Sequence, residues 1–192
     1  MIIQNAVSVI LFAIFVIMVL VRAAVLRKRG VRVIVFGQTD KSDFLLAPLI
    51  FAIAYSALAN TLGLPIWSVL IHPFWNSLIP GWVGLTLNVI SIVSFALTLA
   101  SFGDSFRVGI DENKPDKLVT RGMFAISRNP IYVCFLLFFA GLFLVHRNIV
   151  IAVAVVLFAI AIHRQVIREE KFLASHYGKE YEEYRKKVRR YL

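Results

Sequence analysis

The chain has 192 residues, 59% of them hydrophobic and 17% charged, where a water-soluble domain of this length carries about 25% charged residues. The apolar residues stand in unbroken blocks such as Val7 to Val21 and Ile149 to Ile162, with no polar stripe of the kind an amphipathic helix shows, and this excludes an ordinary soluble enzyme. The formal charge of +10 suits either nucleic acid or an anionic membrane surface, and the placement of the cations decides between them.

In chain order, residues 2 to 26 are long and apolar enough to cross a bilayer, which takes roughly 20 residues of helix. The first 21 residues carry no charge. A signal peptide begins with a positive segment, so this stretch reads as a retained membrane helix. Residues 44 to 62 nearly reach spanning length and residues 81 to 101 do. Between them lies Gly63 to Pro80, uncharged and broken by Pro65, Pro73 and Pro80, with Trp67 and Trp75. Tryptophan favours the headgroup level, so an interfacial or partly re-entrant stretch is expected there. The block from Ile131 to Ile162 is interrupted at His146, Arg147 and Asn148, and each half is only ~22 Å of helix. A tight helical hairpin sheltered by the other helices fits it. The fold class is thus an all-α integral membrane protein of about five transmembrane helices, the last two a hairpin, in a single domain over residues 1–192.

The cations test this count. The first loop, with Arg22, holds six Lys or Arg, residues 102–130 hold five, and the tail from His163 holds nine, which leaves only Arg147 on the other side. Lys and Arg gather on the cytoplasmic side, so the N-terminus is expected outside and the C-terminus in the cytoplasm. Polar material is confined to residues 102–130 and 163–192, which together are expected to form one cytoplasmic face. The tail should form an amphipathic helix, or two hinged at Gly178, and its basic end, Arg185 to Arg190, matches a polybasic membrane-surface segment. Nucleic acid is a poor fit beside five spans, and no obligate protein partner is implied.

That face holds the candidate chemistry. Pro130 precedes an apolar helix, a common place for proline in the first turn. Arg128 and Asn129 are thereby held at the helix entrance, where the planar fork of Arg and free backbone N–H groups suit an anion. Arg164 and Arg168 stand four apart on one helical face, followed by Glu169 and Glu170. Two adjacent carboxylates at the end of a membrane helix are costly unless they meet cations or a ligand amine. The lone cysteine, Cys134, lies in an apolar run and reads as a small buried side chain. His72, His146, His163 and His176 have no ligand spacing, so no metal site is expected.

Several motifs follow one another in order. Gly103 and Phe106 lead to the KLVTRG stretch, Lys117 to Gly122, then Phe124, Arg128-Asn129-Pro130 and Tyr132. In the tail come Glu169-Glu170, Leu173, Tyr177-Gly178, Tyr181, Tyr184, Val188 and Arg190. This succession, over about the C-terminal half, resembles the isoprenylcysteine carboxyl methyltransferase family and the related membrane phospholipid methyltransferases. The resemblance implies a membrane methyltransferase that uses S-adenosyl-L-methionine and takes a lipid or lipid-linked acceptor, either the carboxylate of a prenylcysteine-type molecule or a phospholipid amine. Leu118, Val119, Gly122 and Phe124 would line the adenosine, with Asp116 beside them where such enzymes often have histidine. Arg128, Asn129, Pro130 and Tyr132 would hold the ribose and the methionine carboxylate. One of Glu169 and Glu170 would take the methionine amine, while Arg164 or Arg168 with Glu169 would position the acceptor. Asn129 stands in place of the family's histidine, Phe124 in place of a tyrosine, and Gln165 where some members have arginine. The tail also resembles that of NADPH-dependent membrane sterol reductases, and the lost histidine is compatible with a non-enzymatic homologue.

Overall fold

The computed structural model describes residues 2–28, 46–102 and 118–192. The described residues form seven α-helices: α1 (Ile2–Lys28), α2 (Leu46–Leu62), α3 (Ser68–Ile71), α4 (Ile79–Phe102), α5 (Pro130–His146), α6 (Ile149–Tyr177) and α7 (Lys179–Lys187), with one 3-10 turn at Gly122–Ala125. No strand occurs among them beyond a single isolated bridge between Ser127 and Arg189. Within α1, α4 and α6 lie stretches long and apolar enough to cross a membrane, Ile2–Val25, Ile79–Ser101 and Ile149–Tyr177, whereas α2 and α5 are apolar but 17 residues long.

Local sequence explains the helix limits. Pro48, Pro80 and Pro130 each fall in the first turn of a helix, where the missing N–H has no intrahelical partner to lose. Asn148 caps α6, its side chain accepting from the Ile151 N–H at 3.0 Å. Between α5 and α6 the chain reverses at Arg147, which has a left-handed φ of 43°. That conformation is uncommon outside glycine. Here it is held because the Arg147 N–H donates to the Phe143 carbonyl at 2.7 Å and its guanidinium to the Ser77 carbonyl at 2.8 Å. The last apolar helix does not stop at Ile162, where the hydrophobic block ends, but continues unbroken to Tyr177. Gly178, with φ of 53°, then turns the chain into α7, at the residue where a hinge was expected.

The core is largely aromatic. Phe15 of α1 stacks on Phe138 of α5 with centroids 4.4 Å apart and lies 4.9 Å from Phe95 of α4, while Phe139 meets Phe158 of α6 at 4.6 Å. Lipid is as apolar as these side chains, so close packing and hydrogen bonds must hold the helices together. The antiparallel pair α4 and α5 shows both. Gly84 and Gly141 approach so closely that a Cβ on either would lie 2.5 or 2.6 Å from the other's carbonyl oxygen. Further along, Asn88 donates to the Phe138 carbonyl at 2.8 Å and Ser91 to that of Cys134 at 2.7 Å. Cys134 is buried in this packing.

Polar side chains also tie the opposite end of the bundle. His146, 1% exposed, lies 2.7 Å from Ser8 Oγ and 3.2 Å from Asn60 Nδ2. The Asn60 amide nitrogen can only donate and the Ser8 hydroxyl donates to the Asn5 carbonyl, so Nδ1 accepts and Nε2 carries the proton. One neutral ring thus joins α1, α2 and α5.

Candidate active site

Residues 118–129 connect to the entrance of α5 and are fastened from three directions. Gly122 has φ of 62° and begins the 3-10 turn; a Cβ there would collide with the Ser101 side chain at the end of α4. The Met123 N–H donates to Ser101 Oγ at 3.2 Å. Phe124 is buried and its carbonyl accepts from the Tyr184 hydroxyl of α7 at 2.6 Å. The end of the chain then lies along the turn. The Arg128 N–H donates to the Arg189 carbonyl at 2.9 Å, and the Ser127 hydroxyl and Asn129 side-chain amide both donate to the Arg190 carbonyl, at 3.2 and 3.1 Å.

Glu170, buried on α6, is the centre of this arrangement. Its Oε1 lies 3.2 Å from Arg128 Nη2 and accepts from Asn129 Nδ2 at 3.1 Å, while its Oε2 faces Arg190 Nη2 at 3.0 Å and Nε at 3.1 Å. A carboxylate has about four acceptor positions, so these four donors occupy it fully. Two guanidinium groups on one carboxylate leave a net positive charge. The Glu170 hydrogen bond pushes the Arg190 pKa up, whereas desolvation opposes it.

At the adjacent position, Glu169 Oε1 accepts from the Tyr132 hydroxyl at 2.5 Å and from Gln165 Nε2 at 2.9 Å. Arg168 Nη2 donates to Gln165 Oε1 at 2.5 Å. Gln165 thus links Arg168 to Glu169.

Tyr181 and Tyr184 of α7 are buried against this cluster, with ring centroids 6.2 Å apart. Burial first, and then the Glu170 charge, pushes the Tyr181 hydroxyl up to about 12. Burial likewise raises Tyr184. Both remain neutral phenols through the physiological range.

The structure therefore brings together Arg128, Asn129, Pro130 and Glu170, and beside them Tyr132, Glu169 and Arg168. Leu118 and Val119 are half-buried, Gly122 is exposed, and Phe124 is buried under α7. Arg164 is exposed on α6. Asp116, with Gly103, Phe106 and Lys117, lies outside the described residues. Two neighbours stand in the tail motif without an assigned role. Arg190, also expected in a polybasic surface segment, turns inward onto Glu170, and Tyr181, also on the apolar face of the tail, is buried in α7. No group of three His, Cys, Asp or Glu is placed to hold a metal among the described residues.

The phospholipid methyltransferase family matches residues 75–180, more than half of the chain, and that stretch contains α4, α5, α6 and both glutamates. Among similar proteins are the protein-S-isoprenylcysteine O-methyltransferase of Schizosaccharomyces pombe, 34% identical over 99 residues that cover 50% of this chain and 41% of the relative. A probable protein-S-isoprenylcysteine O-methyltransferase of Oryza sativa subsp. indica is 33% identical over 113 residues, 56% of this chain and 58% of the relative. The nickel-cobalt-cadmium resistance protein NccN of Alcaligenes xylosoxydans xylosoxydans is 27% identical over 131 residues, 64% and 61% respectively. The matched stretch thus spans about half the length of these relatives. With the family match over residues 75–180 and long apolar helices among the described residues, the chain is a membrane protein that belongs to the phospholipid methyltransferase family, and it is similar to isoprenylcysteine O-methyltransferases.

Proposed function

We propose that this chain is an integral membrane methyltransferase that uses S-adenosyl-L-methionine to methylate a lipid-like acceptor at the cytoplasmic face. The observation that carries this reading is the buried cluster of Arg128, Asn129, Glu170 and Arg190 at the entrance of α5, inside the segment that matches the family. Five spans with the N-terminus outside fit the distribution of Lys and Arg. The two 17-residue helices are short for a free span, and α5 gains shelter from its close contact with α4.

The residues present fit the methionine end of such a cofactor, which carries a carboxylate and an ammonium. Arg128 keeps two buried donors, Nε and Nη1, without a partner among the described residues, and these suit a carboxylate. Glu170 is committed to two guanidinium groups and an amide, so Glu169, with Tyr132 beside it, is the glutamate that we assign to the ammonium. Leu118, Val119, Gly122 and Phe124 would border the adenosine. Arg164 and Arg168, at the level where α6 leaves its apolar stretch, would hold the head of the acceptor.

When bound, the cofactor supplies a methyl group on a sulfonium, open to in-line attack. The protein's part is then positioning and exclusion of water. Asn129 orders Glu170 and the end of the chain, but it cannot act as a base at neutral pH. A carboxylate acceptor needs none, and the arginines of α6 suit it, so the prenylcysteine-type acceptor fits this chain better than a phospholipid amine. Calorimetry with S-adenosylhomocysteine and the purified protein in detergent tests the reading. Saturable binding is expected; no binding at millimolar ligand overturns it.

A further inference from the structure

The side chains of Arg128 and Glu170 are 8% and 9% exposed, and Asn129 beside them is buried. Any solute that is to meet them needs a covering element to move. The helices are firmly set: α5 is held to α4 by the Gly84–Gly141 approach and the Asn88 and Ser91 bonds, and α6 runs unbroken through the cluster. In α7, Tyr181 and Tyr184 are buried, and the Tyr184 hydroxyl is fixed on the Phe124 carbonyl. The remaining cover is residues 188–192. The chain leaves α7 there in extended conformation, with φ −121° and ψ 134° at Val188, crosses the turn at residues 127–129 and reaches the side of α6.

This segment has few attachments, and several lie near the surface. The Arg189 and Arg190 carbonyls accept from the Arg128 N–H, the Ser127 hydroxyl and the Asn129 amide. The Arg190 side chain that meets Glu170 is 37% exposed, and partly exposed ion pairs hold weakly. At the far end the Tyr191 hydroxyl lies 2.8 Å from His163 Nδ1 in an exposed contact, and Leu192 is 73% exposed. Against these bonds stand two buried donors of Arg128, Nε and Nη1, with no partner among the described residues. Their unpaired burial costs desolvation, which water relieves once the segment lifts. Segments with exposed bonds and few buried apolar contacts open locally well before the whole fold does.

We infer that residues 188–192 are a strap that opens and closes over the Arg128–Glu170 cluster, hinged at Val188 and latched by the contact between Tyr191 and His163. The structure shows its closed position. The strap rests on the methyltransferase reading only for the ligand that its opening admits, and its motion is measurable without one.

Amide hydrogen exchange of the full chain in detergent, read by mass spectrometry, tests the motion. The Arg128 N–H is bonded to the strap itself, at the Arg189 carbonyl, so its exchange reports opening. It should be protected about tenfold less, or weaker still, than the amides of α4 and α5 near Asn88 and Phe138. Tyr191→Phe should lower that protection by a further factor of about five, the worth of one hydrogen bond, and leave α4 and α5 unchanged. Protection of Arg128 equal to that of α4 and α5 would mean that the segment opens only with global unfolding, and would overturn the strap. Unchanged protection in Tyr191→Phe would overturn the latch.

A double variant, His163→Cys with Tyr191→Cys, locks the strap when joined by a short, reducible bifunctional methanethiosulfonate. The same reagent on wild type, whose single cysteine, Cys134, is buried, is the control. In the linked protein Arg128 protection should rise toward that of α5, and S-adenosylhomocysteine should bind about tenfold more slowly, or slower still, until the link is reduced. Unchanged protection overturns the strap. Raised protection with unslowed binding brings the ligand in by another route and overturns the strap as its gate. Raised protection in a protein that never binds S-adenosylhomocysteine keeps the strap and overturns the methyltransferase reading.

Discussion

The side-chain amide of Asn129 donates to Oε1 of Glu170 at 3.1 Å across a sequence separation of 41 residues. The same amide nitrogen donates to the Arg190 carbonyl at 3.1 Å, so one residue at the entrance of α5 fixes both α6 and the end of the chain. This geometry needs two hydrogens on one nitrogen. An amide has them and an imidazole nitrogen does not, so a histidine at position 129 could not make both bonds from one nitrogen.

Glu170→Gln should disrupt that arrangement. The substitution keeps the shape of the side chain but leaves Arg128, with its side chain 8% exposed, without a counter-charge. Removing one partner of a buried ion pair costs about 3 kcal/mol or more; the Arg190 contribution is smaller because that side chain is 37% exposed. A clear fall in melting temperature is expected, together with at least tenfold weaker binding of S-adenosylhomocysteine. Unchanged melting by differential scanning fluorimetry would refute the central role given to Glu170.

Asn129→His tests the uncharged nature of this position. Asparagine does not titrate, so nothing at residue 129 changes charge between pH 6 and 8. A histidine there has an ordinary pKa near 6.5 and gains positive charge as the pH falls, close to the donors assigned to a carboxylate. Affinity for S-adenosylhomocysteine should rise in the variant relative to wild type between pH 7.5 and pH 6. An identical pH dependence of the two proteins by calorimetry would remove the carboxylate from the neighbourhood of residue 129.

Much of the architecture is legible in the sequence because hydrophobic blocks and prolines mark it. Pro130 opens α5 and Gly178 separates α6 from α7, both as the residue types predict. The end of α6 is not legible from the hydrophobic block, since Gln165, Arg168, Glu169, Glu170 and Lys171 interrupt it yet include strong helix formers, and the helix continues with Val166 still buried. The site is legible in part. Arg128, Asn129 and Glu170 stand out by type and position, but Arg190 reaches Glu170 only because the chain reverses at Gly178 and lies back along Ser127 and Arg128. No local spacing encodes a contact made by such a reversal.

The α4–α5 contact makes a different prediction. At Gly84 an added Cβ would lie 2.5 Å from the Gly141 carbonyl and 3.0 Å from side-chain atoms of Leu144 and Val145. The nearest neighbour is backbone, which cannot swing aside. Gly84→Ala should therefore push the two helices apart, lengthening the bonds from Asn88 to Phe138 and from Ser91 to Cys134. Overpacking of this kind costs about 1–3 kcal/mol, and Gly141→Ala should cost a similar amount. Gly63→Ala, where nothing lies within 4 Å of the added Cβ, differs because only its φ of 69° opposes substitution. Melting temperatures of the three variants in one detergent should place Gly63→Ala nearest to wild type.

Alkaline pH should weaken the attachment of α7 through its tyrosines. Tyr181 titrates near 10 when unfolded and is pushed up to about 12 in the fold by burial and by Glu170, and burial raises Tyr184 as well. Below pH 10 both states hold the phenolic protons and the full stability is present. Above pH 10 the unfolded chain releases them first, so it binds fewer protons than the fold and stability falls as the pH rises toward the folded values. The limiting slope is about 1.4 kcal/mol per pH unit for each tyrosine. The Tyr181→Phe protein lacks one of these groups while keeping the Tyr184 bond to Phe124. Its melting temperature should drop less than that of wild type between pH 9.5 and pH 11, with lysine titration common to both. Parallel curves for the two proteins would mean that the Tyr181 phenol titrates alike in the folded and unfolded chain.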